Sequence, residues 1–271
     1  MCGYDQRSPT MLGLGVTAGV SPHLARDLAA RCQELGYQSL WANDSPRAPG
    51  LETLADFAAG APQLELGVGV LPLDQHPPAK IKADIDRLGV DPAKLWVGVG
   101  SGQLRLHLDA VRRAVGELRQ LLPDGTRIVV AAMRRRLCRL GGEIADGVLL
   151  NWMLPAQAAQ ARTWVEEGHG ERSGIRPVVA TYVRVALGPE AERRLMTEEG
   201  RYREINEAHR EHFAAMNVPI GSVGIAASQP GDVVAGLEPY RAAVDLTIVR
   251  ALATSDEDSL IAVAEAAAPA D

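Results

Sequence analysis

The chain has 271 residues, 46% hydrophobic and 23% charged, with a formal net charge of -6. That length exceeds one small module and suits one large α/β barrel or two modest domains, and the composition excludes wholesale disorder. A mildly acidic chain is a poor reader of phosphate backbones, no apolar run reaches the roughly 18 residues of a membrane span, and the opening MCGYDQRSPT lacks the apolar core of a secretion signal. The expectation is a cytoplasmic protein that binds neither nucleic acid nor membrane.

Met11 to Val16 reads as a strand. Ser21-Pro22 then supplies a cap with proline in the first turn, Leu24, Leu28, Cys32 and Leu35 share one helical face, and Gly36 stops the helix. Ser39 to Ala42 is a second strand, Leu51 to Ala59 a second helix, and Leu64 to Leu71 a third strand. Pro77-Pro78 opens a helix to Leu88, and Leu95 to Val99 is a fourth strand. Leu104 to Leu122 is helical, Arg127 to Ala132 a fifth strand, and Arg134 to Ala145 a helix. Gly147 to Leu150 is a short sixth strand, followed by a helix that Pro155 begins. Pro177 to Leu187 is a seventh strand, and Glu190 to Met216 reads as one long amphipathic helix. Pro230 to Tyr240 is an extra helix, Val244 to Val249 the eighth strand, and Leu260 to Ala267 the last helix.

Eight strands, each followed by a helix, over roughly 250 residues is the arithmetic of a (β/α)8 TIM barrel. The strands are apolar on both faces, as parallel strands covered by helices are. No Ser/Gly-rich linker divides the chain, so residues 11–271 read as one barrel domain with short loops, behind an N-terminal extension of residues 1–10. A doubly wound sheet is the alternative. Gly13-Leu14-Gly15-Val16-Thr17-Ala18 fits the G-x-G-x-x-G/A dinucleotide fingerprint, with Asp44 as its ribose acid, but Ser21-Pro22 starts the helix several residues late.

In a barrel the active site lies at the C-terminal ends of the strands. Those ends read Gly15-Val16-Thr17, Asn43-Asp44-Ser45, Gly69-Val70-Leu71, Gly100-Ser101-Gly102, Ala132-Met133, Asn151-Trp152, Arg184 and Arg250. No Ser-His-Asp set, carboxylate pair or metal-ligand cluster appears among them. Cys2, Cys32 and Cys138, an odd number without CxxC spacing, argue against a disulfide framework or zinc site. A rim of glycine and backbone suits a flat cofactor that carries the chemistry itself. His209 and His212, at i and i+3 with no third ligand in view, read as a solvated helix face. His76 before Pro77-Pro78 reads as a loop anchor, and Arg134 to Arg136 as a solvated turn or, on the catalytic face, a contact for a phosphate or an acidic tail.

Six phrases in order, LGYQSLWANDSP, LETLADFAAGAPQLELGVGVLPLDQHPPA, KLWVGVGSG, LCRLGGEIADGVLLNW, YVRVALGP and DLTIVRAL, carry a resemblance that covers roughly Met11 to Leu252. The chain resembles the bacterial-luciferase-like flavin monooxygenase superfamily, and most closely its coenzyme F420-dependent oxidoreductase branch. The resemblance implies a (β/α)8 barrel with a flavin or deazaflavin at its mouth, a small-molecule substrate, and a homodimer. It implies hydride transfer between coenzyme F420 and a small organic substrate; alternatives are an FMN-dependent monooxygenase on the same barrel and a cofactor-binding, catalytically degenerate relative.

The resemblance also implies roles for particular residues. Gly69 and Val70 match a third-strand bulge whose peptide bond is commonly cis and backs the cofactor ring. Asp44, with Asn43, matches an acidic position facing that ring, and Gly100 and Ser101 match the glycine-rich end of the fourth strand. The cofactor tail is expected near Ser101, Ala132, Met133 and Asn151. Three features depart from the pattern. Gln103 stands where several relatives carry a glutamate, and hydrogen-bonds without trading a proton. Ser45 stands where histidine often follows the acid, and Ala131-Ala132-Met133 replaces a glycine pair. Asp44 and Gln103 are therefore the expected catalytic residues, with no metal.

Overall fold

The computed structural model describes residues 10–104, 107–170, 174–252 and 257–269. Apart from Thr10, the expected N-terminal extension lies outside the described residues, and so does Cys2. Strands and helices alternate along the chain: β1 (Met11–Val16), α1 (Pro22–Glu34), β2 (Ser39–Ala42), α2 (Gly50–Gly60), β3 (Glu65–Pro72), α3 (Pro78–Leu88) and β4 (Leu95–Gly100). The next are α4 (His107–Leu121), β5 (Arg127–Ala132), α5 (Arg135–Ile144), β6 (Gly147–Asn151), α6 (Pro155–His169) and β7 (Val178–Leu187). The chain continues through α7 (Ala191–Ile205), α8 (Glu207–Met216), β8 (Ile225–Ala227), α9 (Pro230–Ala243), β9 (Leu246–Ala251) and α10 (Glu257–Ala266).

Strands β1 to β6 pair in chain order, β6 pairs with β7, β7 with β9, and β9 returns to β1, all in parallel. Eight strands therefore close a (β/α)8 barrel, with α1 to α6, α9 and α10 among the helices around it. The doubly wound alternative fails on the glycines that suggested it. Gly13 and Gly15 lie within β1, where a Cβ would come within 2.5 Å of the Ser39 hydroxyl and 3.1 Å of the Tyr182 ring. Their smallness serves interior packing and makes no phosphate turn.

Two elements differ from the sequence reading. The single helix expected over Glu190 to Met216 is two, because Asn206 is extended (φ -163, ψ 171) and its side chain accepts from His209 N at 3.0 Å. Asparagine is among the best N-caps, so α8 starts afresh there. The short β8 was not expected. It pairs with β7 at Val185–Leu187, on the edge opposite β9 and beyond the reach of β6. Among the described residues, no helix is long and apolar enough to cross a membrane.

Successive strand residues point alternately into the barrel and out to the helices. The inward set includes Trp41, Trp96, Val129, Leu149, Ala180, Tyr182, Leu246 and Ile248, which pack as one cluster. Trp41 is fully buried and meets Trp96 with ring centroids 6.1 Å apart. Room for the Trp41 indole comes from Gly67 on the neighbouring strand, where a Cβ would stand 2.3 Å from the ring. At the N-terminal end Glu65 accepts from Trp96 Nε1 at 2.7 Å and pairs with Arg127, whose guanidinium covers Trp96 at 4.6 Å. The interior is thus filled and polar-satisfied below, which leaves the C-terminal layer to the smaller residues. Replacement tests this fill in urea unfolding. Gly67→Ala is expected to destabilise by about 1–3 kcal/mol through overpacking, and Trp41→Ala by about 3–5 kcal/mol through a cavity. Unchanged midpoints for both would contradict it.

Candidate active site

The floor of the barrel mouth is built on β3. The pairing of β3 with β4 shifts register between Val68 and Leu71, and the Gly69–Val70 peptide bond inside that bulge is cis. Glycine is required at 69, since a Cβ would lie 2.5 Å from the Tyr182 hydroxyl and 2.6 Å from Leu149. Tyr182 Oη donates to the Gly69 carbonyl at 3.3 Å and so holds the bulge from below. Above it Val70 is half-buried and meets a shallow surface: a Cβ at Gly100 would touch Val70 at 3.4 Å and Ala131 at 3.6 Å, ordinary contact distances. Val70, Gly100 and Ala131 therefore form a small apolar floor.

Polar groups stand around that floor. Asn43 follows β2 and faces inward, its Oδ1 accepting from Ala18 N at 2.9 Å. Ser101 follows β4 and is half-buried. Asn151 ends β6 and accepts from Arg184 Nη1. The structure thus gathers Asn43, Gly69, Val70, Gly100 and Asn151 around one mouth, with Ser101 on the turn just past Gly100.

The other expected residues lie elsewhere. Asp44 is one step past Asn43 and points to the outside of the barrel. Its Oδ1 accepts from Gly50 N, at the start of α2, at 2.8 Å, and its Oδ2 meets His76 Nε2 at 2.9 Å. Asp44, Ser45 and His76 line a cleft of about 310 Å³ with residues of α2 and α3, and Lys80 Nζ reaches His76 Nδ1 at 3.4 Å. Gln103 is exposed on the turn after β4. Ala132 is buried on the outward side of β5 with Cys138 and Val148, while Met133 lines an outer cleft of about 230 Å³ with Met153, Trp164 and Met216.

One feature of the wall was not visible in the sequence. Helices α7 and α8, inserted after β7, bring Tyr202 and Phe213 onto Trp152, at centroid distances of 5.0 and 5.5 Å. Trp152 is fully buried with a left-handed backbone (φ 54), a conformation that bulky residues adopt only under constraint;. The constraint includes His212, whose Nε2–H donates to the Trp152 carbonyl at 2.7 Å. Arg184 lies against this cluster, 4.0 Å from the Trp152 ring and 5.3 Å from that of Tyr202. Glu199 of α7 ties down the return to β8, accepting from Gly221 N at 2.9 Å and Val223 N at 3.1 Å while pairing with Arg203. His209 and His212, which read as solvated, are instead packed under this cover.

No protein-family model and no curated protein matches the chain. Solved structures do. An F420-dependent secondary alcohol dehydrogenase, solved with an F420-acetone adduct, superposes with a TM-score of 0.76 over 95% of this chain and 98% of its own, at 15% identity. The coenzyme F420-dependent tetrahydromethanopterin reductase of Methanopyrus kandleri gives 0.70 over 95% and 98%, at 16% identity. A type II Baeyer-Villiger monooxygenase of Pseudomonas putida, the oxygenating part of 3,6-diketocamphane monooxygenase in complex with FMN, gives 0.64 over 97% and 99%, at 14% identity. These three neighbours are two F420-dependent oxidoreductases and an FMN-bound monooxygenase. At these identities the likeness establishes the shared barrel fold, over essentially the full length of each chain.

The histidines under the cover make its stability pH-dependent. Burial, aided by the charges of His212 and Arg184, pushes the His209 imidazole down to about 4, and burial lowers His212 as well. An unfolded histidine titrates near 6.5, so between these values the unfolded chain binds protons that the folded chain refuses. Stability held above pH 6.5 is therefore lost as the pH falls toward about 4. Tryptophan fluorescence during urea unfolding at stepped pH reads this. His209→Phe is expected to lose less stability than the wild type between pH 7 and 4.5, and equal losses would contradict the assignment.

Proposed function

We propose that the protein is an oxidoreductase that takes coenzyme F420, a deazaflavin, across its barrel mouth and passes a hydride between it and a small organic substrate. The observation that carries this reading is the small apolar floor of Val70, Gly100 and Ala131, with amides and a hydroxyl near it. Among the described strand-end residues that face the mouth, none is a carboxylate, histidine or thiol. Such a site binds and orients a reagent without performing acid-base or nucleophilic chemistry itself. The likeness to F420-dependent enzymes over the whole chain supports the same reading.

The residues fit a planar ring. Gly100 carries no side chain to obstruct one, and Val70 offers apolar support beside it. Asn43 and Ser101 supply hydrogen-bonding groups at one edge, and Asn151, held by Arg184, a polar wall at another. When bound, a deazaflavin supplies hydride exchange at a ring carbon and activates oxygen poorly. Asp44, with its carboxylate engaged by Gly50 and His76, anchors the rim behind Asn43 in this reading. Gln103 contributes hydrogen bonds and no proton.

A second reading, an FMN-dependent monooxygenase, is supported by the match to the FMN-bound Baeyer-Villiger enzyme. Optical titration separates the two. The proposal expects saturable binding of F420, followed by turnover with a small carbonyl or alcohol that does not consume oxygen. Gly100→Ala should keep its thermal midpoint, because the added methyl meets only ordinary contacts, yet bind F420 roughly tenfold more weakly, about 1.4 kcal/mol;. Reduced FMN that supports oxygen-dependent turnover would favour the second reading. Binding without turnover over a broad substrate panel would indicate a degenerate relative, and no binding of either cofactor would overturn the proposal.

A further inference from the structure

Arg184 and Arg250 stand opposite each other in the register of β7 and β9. Both follow the inward parity of Tyr182 and Ile248, so both side chains enter the barrel mouth;. They are only 5% and 7% exposed. Every hydrogen bond described for the pair goes to a neutral acceptor. Arg184 reaches Asn151 Oδ1, and Arg250 reaches the Ala251 carbonyl at 3.2 Å and the Thr17 hydroxyl at 2.5 Å. Arg184 Nε has no partner among the described residues. Glu198, the carboxylate whose charge acts on both, has its two oxygens held by Arg201 at 2.8 and 3.1 Å.

Two adjacent cations out of water, with no carboxylate hydrogen-bonded to either among the described residues, oppose folding through desolvation and mutual repulsion;. Burial indeed pushes the Arg184 guanidinium down to about 10 and lowers Arg250, yet both remain charged at neutral pH. Aromatic faces at Trp152, Tyr202 and Tyr182 offset part of the penalty for Arg184;. For Arg250 the offset comes from neutral oxygens and from the charge of Glu198, which Arg201 already engages. Its guanidinium reaches the hydroxyl of Thr17, and Thr17 is itself exposed at the rim of the mouth. The ends of the last two strands are also where barrels frequently seat phosphate groups.

We propose that Arg184 and Arg250 together seat the anionic group, a phosphate or carboxylate, of a ligand in the barrel mouth. Two planar forks side by side match the oxygens of such a group, and the anion supplies a countercharge in direct contact. This deepens the reading of the mouth as a redox site: its substrate is an organic acid or phosphorylated compound, unless the anion is the cofactor's own phosphate. The inference rests on the mouth being a ligand site and not on which cofactor enters it.

Inorganic phosphate is the probe, added to the protein at constant ionic strength against chloride. The expected result is saturable binding by calorimetry, a raised thermal midpoint, and a change in tryptophan fluorescence from Trp152 beneath Arg184. Arg250→Met should weaken phosphate binding about tenfold or more, with partial retention in Arg250→Lys. In phosphate-free buffer Arg250→Met should melt no lower than the wild type, because it removes a buried charge whose described hydrogen bonds go to neutral oxygens; a merely structural arginine would melt lower. No response of the wild type beyond chloride, or unchanged binding by Arg250→Met, overturns the proposal. Should Arg250→Met fail to fold, the wild-type response and Arg250→Lys decide it. F420 titrations with and without saturating phosphate identify the source: unchanged affinity assigns the anion to the substrate, and competition assigns it to the cofactor. Phosphate binding without F420 binding removes the redox reading and leaves the pair standing, whereas F420 binding without phosphate binding does the reverse.

Discussion

The packing of Trp41 over Gly67 is the contact on which the mouth depends. A closed parallel barrel must fill its interior with side chains, and here the lower layers are filled by two indoles and the Glu65–Arg127 pair;. Because bulk is concentrated there, the layer above is left to Gly15, Gly69, Gly100 and Ala131. Tyr182 joins the two layers: its ring meets Trp41 edge-on at 6.3 Å, and its hydroxyl supports the Gly69 carbonyl. The small apolar floor is therefore a consequence of how the barrel is packed beneath it.

One wall of the mouth is made differently. The helices inserted after β7 form a small second core of Trp152, Leu195, Phe213 and Val223 over the ends of β6 and β7. That core encloses charge as well as apolar surface. Glu199 is satisfied by two backbone amides and Arg203, whereas Arg184 has aromatic faces and an amide oxygen. The contrast is between a buried carboxylate paired with an arginine and an arginine pair whose described hydrogen bonds all go to neutral oxygens;.

The barrel was legible because each strand is a short apolar run bounded by its own stop signals. β1, β2 and β5 occupy the very residues read from the sequence, since Ser21-Pro22, Gly36 and comparable punctuation frame them;. The break at Asn206 was not legible, because apolar spacing continues across it and only the cap chemistry changes. β8, at three residues, is too short to show a period. In the site, the glycines could be placed but not the side chains at strand ends. Parity there shifts with every residue: Asn43 faces in and Asp44 out, and Ala131 faces in while Ala132 packs against the helices;. A resemblance in sequence locates such a position to within one residue, which is enough to reverse its direction.

The central claim is that the floor around Val70 receives a planar redox cofactor. Diffraction from a crystal soaked with coenzyme F420 tests it most directly. The account predicts density for the deazaflavin ring against Val70 and Gly100, with its edges near Asn43 and Ser101. A ring bound outside the barrel, in the cleft beside Asp44 and His76, or no density at saturating cofactor, would contradict it.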